Sequence, residues 1–170
     1  LTSGNSAKSL SRQKKILFWL LTPQFHCSKV GKRVEKWVNG GKLSVFEGAT
    51  ALSLDAKGRL AIPARHRESL LEAAAGSLVL TAHPHRCLLL YPSPAWQPIR
   101  DQILKASSLD PRAASIKRVM VGNARSEELD SAGRLLVAAE LRDYAQLEKT
   151  VFLVGTGSHF EIWSEAGWKQ

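Results

Sequence analysis

At 170 residues the chain has the size of one domain or two small ones. Its formal charge of +9 would ordinarily point to nucleic acid, but residues 1–44 hold nine Lys or Arg against Glu35 alone, and residues 45–170 hold fifteen against fourteen acids. Two widely separated cysteines, Cys27 and Cys87, exclude a disulfide framework and a cysteine metal site, and suit a reducing, cytosolic setting.

In chain order, residues 1–44 form a basic extension rich in Ser and Lys that ends at Asn39-Gly40-Gly41. Its apolar run Ile16–Leu21 is too short to span a membrane, and no small-residue cleavage site follows it. This extension reads as a disordered tail, as an arm that grips phosphates, or as a misplaced start. The last is favoured, because the only Met is Met120 and Val45, the residue that a bacterial GTG start would show, stands at the head of the organised region.

Ala49–Leu54 has the alternation of a strand, Asp55-Ala56-Lys57-Gly58 the composition of a turn, and Arg59–Ile62 leaves it as a second strand. Pro63 stops that ladder and suits the first turn of a helix over Ala64–Ala75. Strands follow at Ser77–Ala82 and Cys87–Tyr91. Two helices are predicted next: Pro98–Lys105, then one capped by Asp110 with Pro111 in its first turn and Ile116, Val119 and Met120 on its apolar face. Glu127–Leu129, a turn at Asp130–Gly133, Arg134–Val137, a helix over Glu140–Gln146, and strands at Thr150–Val154 and Phe160–Trp163 complete the chain.

That order says one thing twice. Leu54-Asp55-Ala56-Lys57-Gly58-Arg59-Leu60 returns 75 positions later as Leu129-Asp130-Ser131-Ala132-Gly133-Arg134-Leu135. Arg67 is repeated as Arg142, and the run Leu78–Leu80 returns near Leu153 and Val154. Tyr91 and Trp96 correspond to Trp163 and Trp168 after a three-residue contraction. Each unit of about 50 residues is too small to bury a full core alone, so its twin is the natural partner. The expected plan is a basic extension (1–44), a first unit (45–96), a helical connector (97–124) and a second unit (125–168).

The repeated turns carry the candidate site. Asp55, Gly58, Asp130 and Gly133 build the turns, while Lys57, Arg59 and Arg134 are the residues that they present. Arg65 and Arg67 broaden the basic edge on the first unit. An Arg fork suits a phosphate or a guanine edge, Lys supplies a mobile charge, and a two-stranded ribbon fits a major groove. The competing reading is structural, since Arg59 and Arg134 each follow an Asp by four positions and could simply hold the turn closed. Lys57 has Ala132 at its matching position, so the turn does not need it.

Enzyme chemistry finds no constellation. His66, His83, His85 and His159 lack metal-ligand spacing, Cys87 has no evident base, Ser158-His159 is only a loop dipeptide, and no glycine run has phosphate- or dinucleotide-binding form. No cofactor is expected.

Phe46-Glu47-Gly48-Ala49-Thr50-Ala51-Leu52-Ser53-Leu54-Asp55-Ala56-Lys57-Gly58-Arg59-Leu60-Ala61-Ile62-Pro63 resembles the opening of the MraZ family of bacterial transcriptional regulators. Cys87–Pro92 with Trp96, Val121–Ala124 and Asp130–Leu136 resemble the rest of it, so that the likeness covers Val45–Gln170. It implies an α+β, mainly β fold: two swapped-hairpin SpoVT/AbrB-like units related by pseudo-twofold symmetry, with intervening and flanking helices. It also implies a ring-forming homo-oligomer in the cytoplasm, associated with the nucleoid. Such an oligomer binds double-stranded DNA at short direct repeats and represses its own division and cell-wall gene cluster. Family members commonly open Met-Phe-Arg-Gly, whereas this chain has Glu47 at the Arg position, which reverses the local charge. The expectation is therefore a non-catalytic, sequence-specific DNA-binding regulator. The alternative is an oligomeric scaffold whose turns bind a protein.

Overall fold

The computed structural model describes residues 45–74 and 77–170, so the expectations for the basic extension lie outside the described residues. The described chain runs β1 (Phe46–Ser53), β2 (Arg59–Ala61), α1 (Ala64–Ala74), β3 (Leu78–Ala82), β4 (Leu88–Pro92), α2 (Ser93–Lys105), α3 (Pro111–Ile116), a π-helical turn (Lys117–Val121), β5 (Arg125–Glu127), β6 (Arg134–Leu136), α4 (Ala139–Tyr144), β7 (Thr150–Gly157), β8 (Phe160–Ser164) and α5 (Glu165–Trp168). Mixed helix and antiparallel sheet, mainly strand, is the architecture expected from the sequence. Among the described residues no helix is long and apolar enough to cross a membrane.

Six strands form one antiparallel sheet in the order β1-β7-β8-β4-β3-β5, and β2 pairs with β6 in a separate two-stranded ribbon. The two repeats are interleaved, for β7 and β8 lie between β1 and β4. In the ribbon Arg59 faces Leu136, Leu60 faces Leu135 and Ala61 faces Arg134. Each residue of the central pair thus meets its own counterpart in the repeat, and the outer two pairs are copies of one another. The β4–β8 ladder has the same property about Leu89↔Glu161. Leu78 stands opposite Glu127 and Pro92, as Val151 stands opposite Leu52 and Ser164. Val151 is therefore the counterpart of Leu78, two residues earlier than the simple 75-residue offset gives. The shorter second helix accounts for the contraction, since α4 has 6 residues against 11 in α1.

Every residue of β3 and β4 is buried, as apolar runs covered on both faces should be. One face joins Leu78, Leu80, Leu88 and Leu90 to Leu60, Leu135, Val151, Leu153, Phe160 and Ile162, closed by Leu70 of α1 and Leu141 of α4. That core draws on both repeats, which answers the shortage of apolar area in either alone. The other face joins Val79, Leu89 and Tyr91 to Trp96 and Ile103 of α2 and to Met120.

Several boundaries differ from expectation for identifiable reasons. β1 begins at Phe46 instead of Ala49, because Phe46 is buried against Phe160 with ring centroids 4.5 Å apart. α2 begins at Ser93, not Pro98, with Pro94 in its first turn and Pro98 inside it, and buried Trp96 fixes that early turn to the core. The Asp110 cap is formed, its carboxylate accepting from the Arg112 amide at 2.9 Å. The helix that it starts then widens into the π-helical turn, where the Gly122 amide donates to the Lys117 carbonyl. α4 ends at Tyr144, short of Gln146, whose φ of 52° lies in the left-handed region.

Candidate nucleic-acid interface

The two repeated turns have one construction. The Asp55 amide donates to the Arg59 carbonyl at 3.0 Å and the Gly58 amide to the Asp55 carbonyl at 2.9 Å. Oδ1 of Asp55 accepts from the amides of Lys57 and Arg59, both at 2.9 Å, while Oδ2 accepts from Arg59 Nε at 2.7 Å. In the second turn Asp130 accepts from the amides of Ala132 and Arg134 at 2.9 Å and from Arg134 Nε at 2.8 Å. The Arg59 and Arg134 backbone amides, followed by the other amide and guanidinium donors, hold both carboxyls below their ordinary range.

This geometry reconciles the two readings of the arginines. Each does hold its turn, but through Nε alone. The outer edge of the guanidinium, Nη1 and Nη2, makes no hydrogen bond within the described residues. The Asp therefore fixes the plane of the fork and leaves its bidentate edge available.

Because β2 and β6 are paired, Arg59, Ala61, Arg134 and Leu136 share one face of the ribbon, while Leu60 and Leu135 face inward and are wholly buried. Arg59 and Arg134 are diagonal neighbours on the outer face, a spacing of roughly 7–8 Å on such a ladder. Exposed Lys57 extends the row at the tip of the first turn.

The turns are braced reciprocally. The Ile62 amide donates to the Gly133 carbonyl at 3.0 Å, and the Val137 amide to the Gly58 carbonyl at 2.9 Å. Arg67 of α1 lies over Gly133, and Arg142 of α4 lies over Gly58. A Cβ added at Gly133 would stand 2.6 Å from Arg67 Cζ, and one at Gly58 would stand 2.8 Å from Arg142 Cζ. Each unit's helix thus supports the other unit's turn. Arg67, expected among the contact residues, is partly buried, donates through Nε to the Ile62 carbonyl at 2.6 Å and lies against Gly133 of the second turn. Arg142 was missing from the expected site. The signal for it was the duplication of Arg67, which marks a shared structural task. Its Nε is buried and makes no hydrogen bond among the described residues.

Arg65 is exposed but is directed to Thr50 of β1 and to His66, where Nε lies 3.0 Å from the imidazole. The structure therefore gathers Arg59, Arg134 and Lys57 on the ribbon and its tip, and places Arg65 and Arg67 on α1. Glu47, at the position where family members commonly carry Arg, is exposed on β1.

Residues with catalytic potential lie elsewhere. Cys87 is buried, and that burial pushes its thiol up to about 12, away from thiolate chemistry. His159 stacks on Tyr91 with centroids 4.2 Å apart and lies 3.1 Å from Thr156 Oγ1 and 3.2 Å from Ser158 Oγ. Burial lowers His83 and His159 to about 4 from an ordinary 6.5. The unfolded chain takes up these protons first, so the stabilisation is complete above pH 6.5 and declines as pH falls toward 4. Each histidine should cost about 1 kcal/mol of stability between pH 7.5 and 5.5. Urea unfolding at those two pH values checks this, and the H83Q/H159Q variant should lose most of the difference.

Two segments of the chain, residues 45–119 and 120–170, match the family model for MraZ protein. The protein named transcriptional regulator MraZ in Dechloromonas aromatica is 84% identical over 126 residues, which cover 74% of this chain and 85% of that protein. Its namesake in Aromatoleum aromaticum is 62% identical over 125 residues, covering 74% and 84%. The one in Methylobacillus flagellatus is 58% identical, with the same coverage. The doubled family match falls on the chain that carries the doubled turn, and on these grounds the chain belongs to the MraZ family.

Proposed function

We propose that this chain is a sequence-specific DNA-binding transcriptional regulator that represses its own division and cell-wall gene cluster. In this reading it acts as a homo-oligomeric ring on short direct repeats of double-stranded DNA, in the cytoplasm at the nucleoid. The two repeats form swapped-hairpin SpoVT/AbrB-like units related by a pseudo-twofold axis through Leu60↔Leu135. The self-paired registers of β2–β6 and β4–β8 support that symmetry. The observation that carries the function is the ribbon face: two guanidinium forks, each fixed by an Asp through Nε, lie diagonally on an exposed two-stranded element. A ribbon of this kind fits a major groove, and its diagonal spacing approaches two base-pair steps of about 3.4 Å. The relatives' name, transcriptional regulator, agrees with this reading.

One subunit offers few base contacts, so repeated sites engaged by several subunits supply much of the affinity. Lys57 contacts the backbone, and Arg65 adds charge at the edge. Arg67 acts by positioning, through the turn that it braces. The test is a titration of the operon's upstream duplex and a scrambled duplex at physiological salt. Strong preference for the native repeats supports the reading. Equal, weak binding to both would favour turns that dock on a protein. Lys57→Ala should weaken both duplexes about equally and reduce the slope of log affinity against log salt by about 0.9 per subunit contact.

A further inference from the structure

The ribbon face holds one large apolar side chain that neither the turn chemistry nor the core accounts for. Leu136 is 49% exposed, although its neighbour Leu135 is wholly buried. It stands directly opposite Arg59, where Cβ atoms of paired strands lie roughly 4.5–5.5 Å apart, and two residues along β6 from Arg134. Its counterpart in the first unit is Ala61, opposite Arg134. The tips differ in the reverse sense, with Lys57 on the first turn and Ala132 on the second. The two arms are therefore alike in their clamped arginines and unlike around them. The first adds a cation to its arginine, and the second adds an isobutyl group.

An exposed leucine flanked by two guanidinium forks is poorly suited to a wholly polar ligand. A thymine edge in the major groove offers the complement, since it carries a 5-methyl group beside hydrogen-bonding atoms of the neighbouring base pairs. Resting on the reading of the chain as a major-groove binder, we propose that Leu136 is a specificity-determining residue that packs on the 5-methyl of one thymine next to the base pair read by Arg59. The contact makes the two arms read different base pairs, so the preferred site lacks twofold symmetry although the reader's backbone is nearly twofold.

The test replaces each thymine of the upstream duplex, one at a time, by deoxyuridine, which removes only the methyl group. Binding of the full chain is measured beside a scrambled duplex, and sedimentation reports the oligomeric state of wild type and Leu136→Ala. Burying one methyl group corresponds to about a fourfold change in affinity. One replacement should therefore weaken wild type about fourfold, and the same replacement should leave Leu136→Ala unchanged, with its oligomeric state intact. Preference for the native duplex with indifference to every replacement overturns the methyl contact alone. An equal effect of the replacement on both proteins also overturns it, as does a change of oligomeric state in Leu136→Ala, which would assign the side chain to a subunit interface. Absence of any preference for the native duplex overturns the contact together with the reading on which it rests. The deoxyuridine series on wild type needs no variant to fold.

Discussion

Arg59→Ala is expected to lower affinity for the native upstream duplex about 10- to 100-fold while changing affinity for a scrambled duplex far less. A fork on a base edge is worth about 1–3 kcal/mol of discrimination, whereas a single charge near phosphates contributes alike to every sequence. The fold should tolerate the change. Arg59 and Asp55 remain about a third exposed, and an ion pair of that exposure is screened by solvent and contributes little to stability. Arg59→Lys separates the causes, because it keeps the charge and lacks the planar fork. Recovery of binding with Lys would assign Arg59 to phosphate, and failure to recover would assign it to a base. Arg134→Ala should behave in the same way, since its clamp matches that of Arg59 to within 0.1 Å. Equal losses on native and scrambled duplexes in both variants would remove base readout from these residues.

The second large effect concerns stability. Gly133→Ala should destabilise the protein by about 2–3 kcal/mol, from a left-handed penalty of about 1–2 kcal/mol and the displacement of Arg67 from its carbonyl at about 1 kcal/mol. Gly133 has a φ of 71°, and the added Cβ would enter the Arg67 guanidinium. A chain of this size loses about 2–4 °C in Tm per kcal/mol, so a fall of roughly 4–12 °C is expected. Gly48 provides the control, with a φ of 88° and no atom within 4 Å of an added Cβ. Gly48→Ala therefore carries the conformational penalty alone. Adding Arg67→Ala to Gly133→Ala should cost little more, because the contact that it removes is already lost. If the two glycine variants melt together, the brace across the units is not a stabilising contact.

These expectations show how far the chain could be read before its structure. The turns were legible in full, because an Asx-type turn needs Asp, a Gly three positions on and little else, and the phrase occurs twice. The ambiguity over Arg59 and Arg134 was also legible, though its resolution was not. Spacing shows that an Asp and an Arg can meet, but not that they meet through Nε with the Nη edge left over. Two kinds of information were missing. The interleaving of β7 and β8 between β1 and β4 depends on long-range pairing, which local pattern does not encode. Likewise Arg67 has the composition of a surface cation, and only the crossing of the two units shows that it lies against a turn of the other. The early start of α2 escaped for a local reason. Pro98 looks like a helix start, whereas buried Trp96 had already committed that turn to the core.

A β2–β6 ribbon that enters the major groove with Arg59 and Arg134 on base edges must cover atoms exposed only in that groove. Methylation protection at guanine N7 on the upstream duplex, with wild type and the R59A/R134A variant, tests this placement most directly, since N7 lies in that groove. Guanines within each direct repeat should be protected by wild type, and that protection should be lost in the variant at a concentration where it still occupies the duplex. Bound wild-type protein that leaves every guanine N7 open to methylation would contradict the placement.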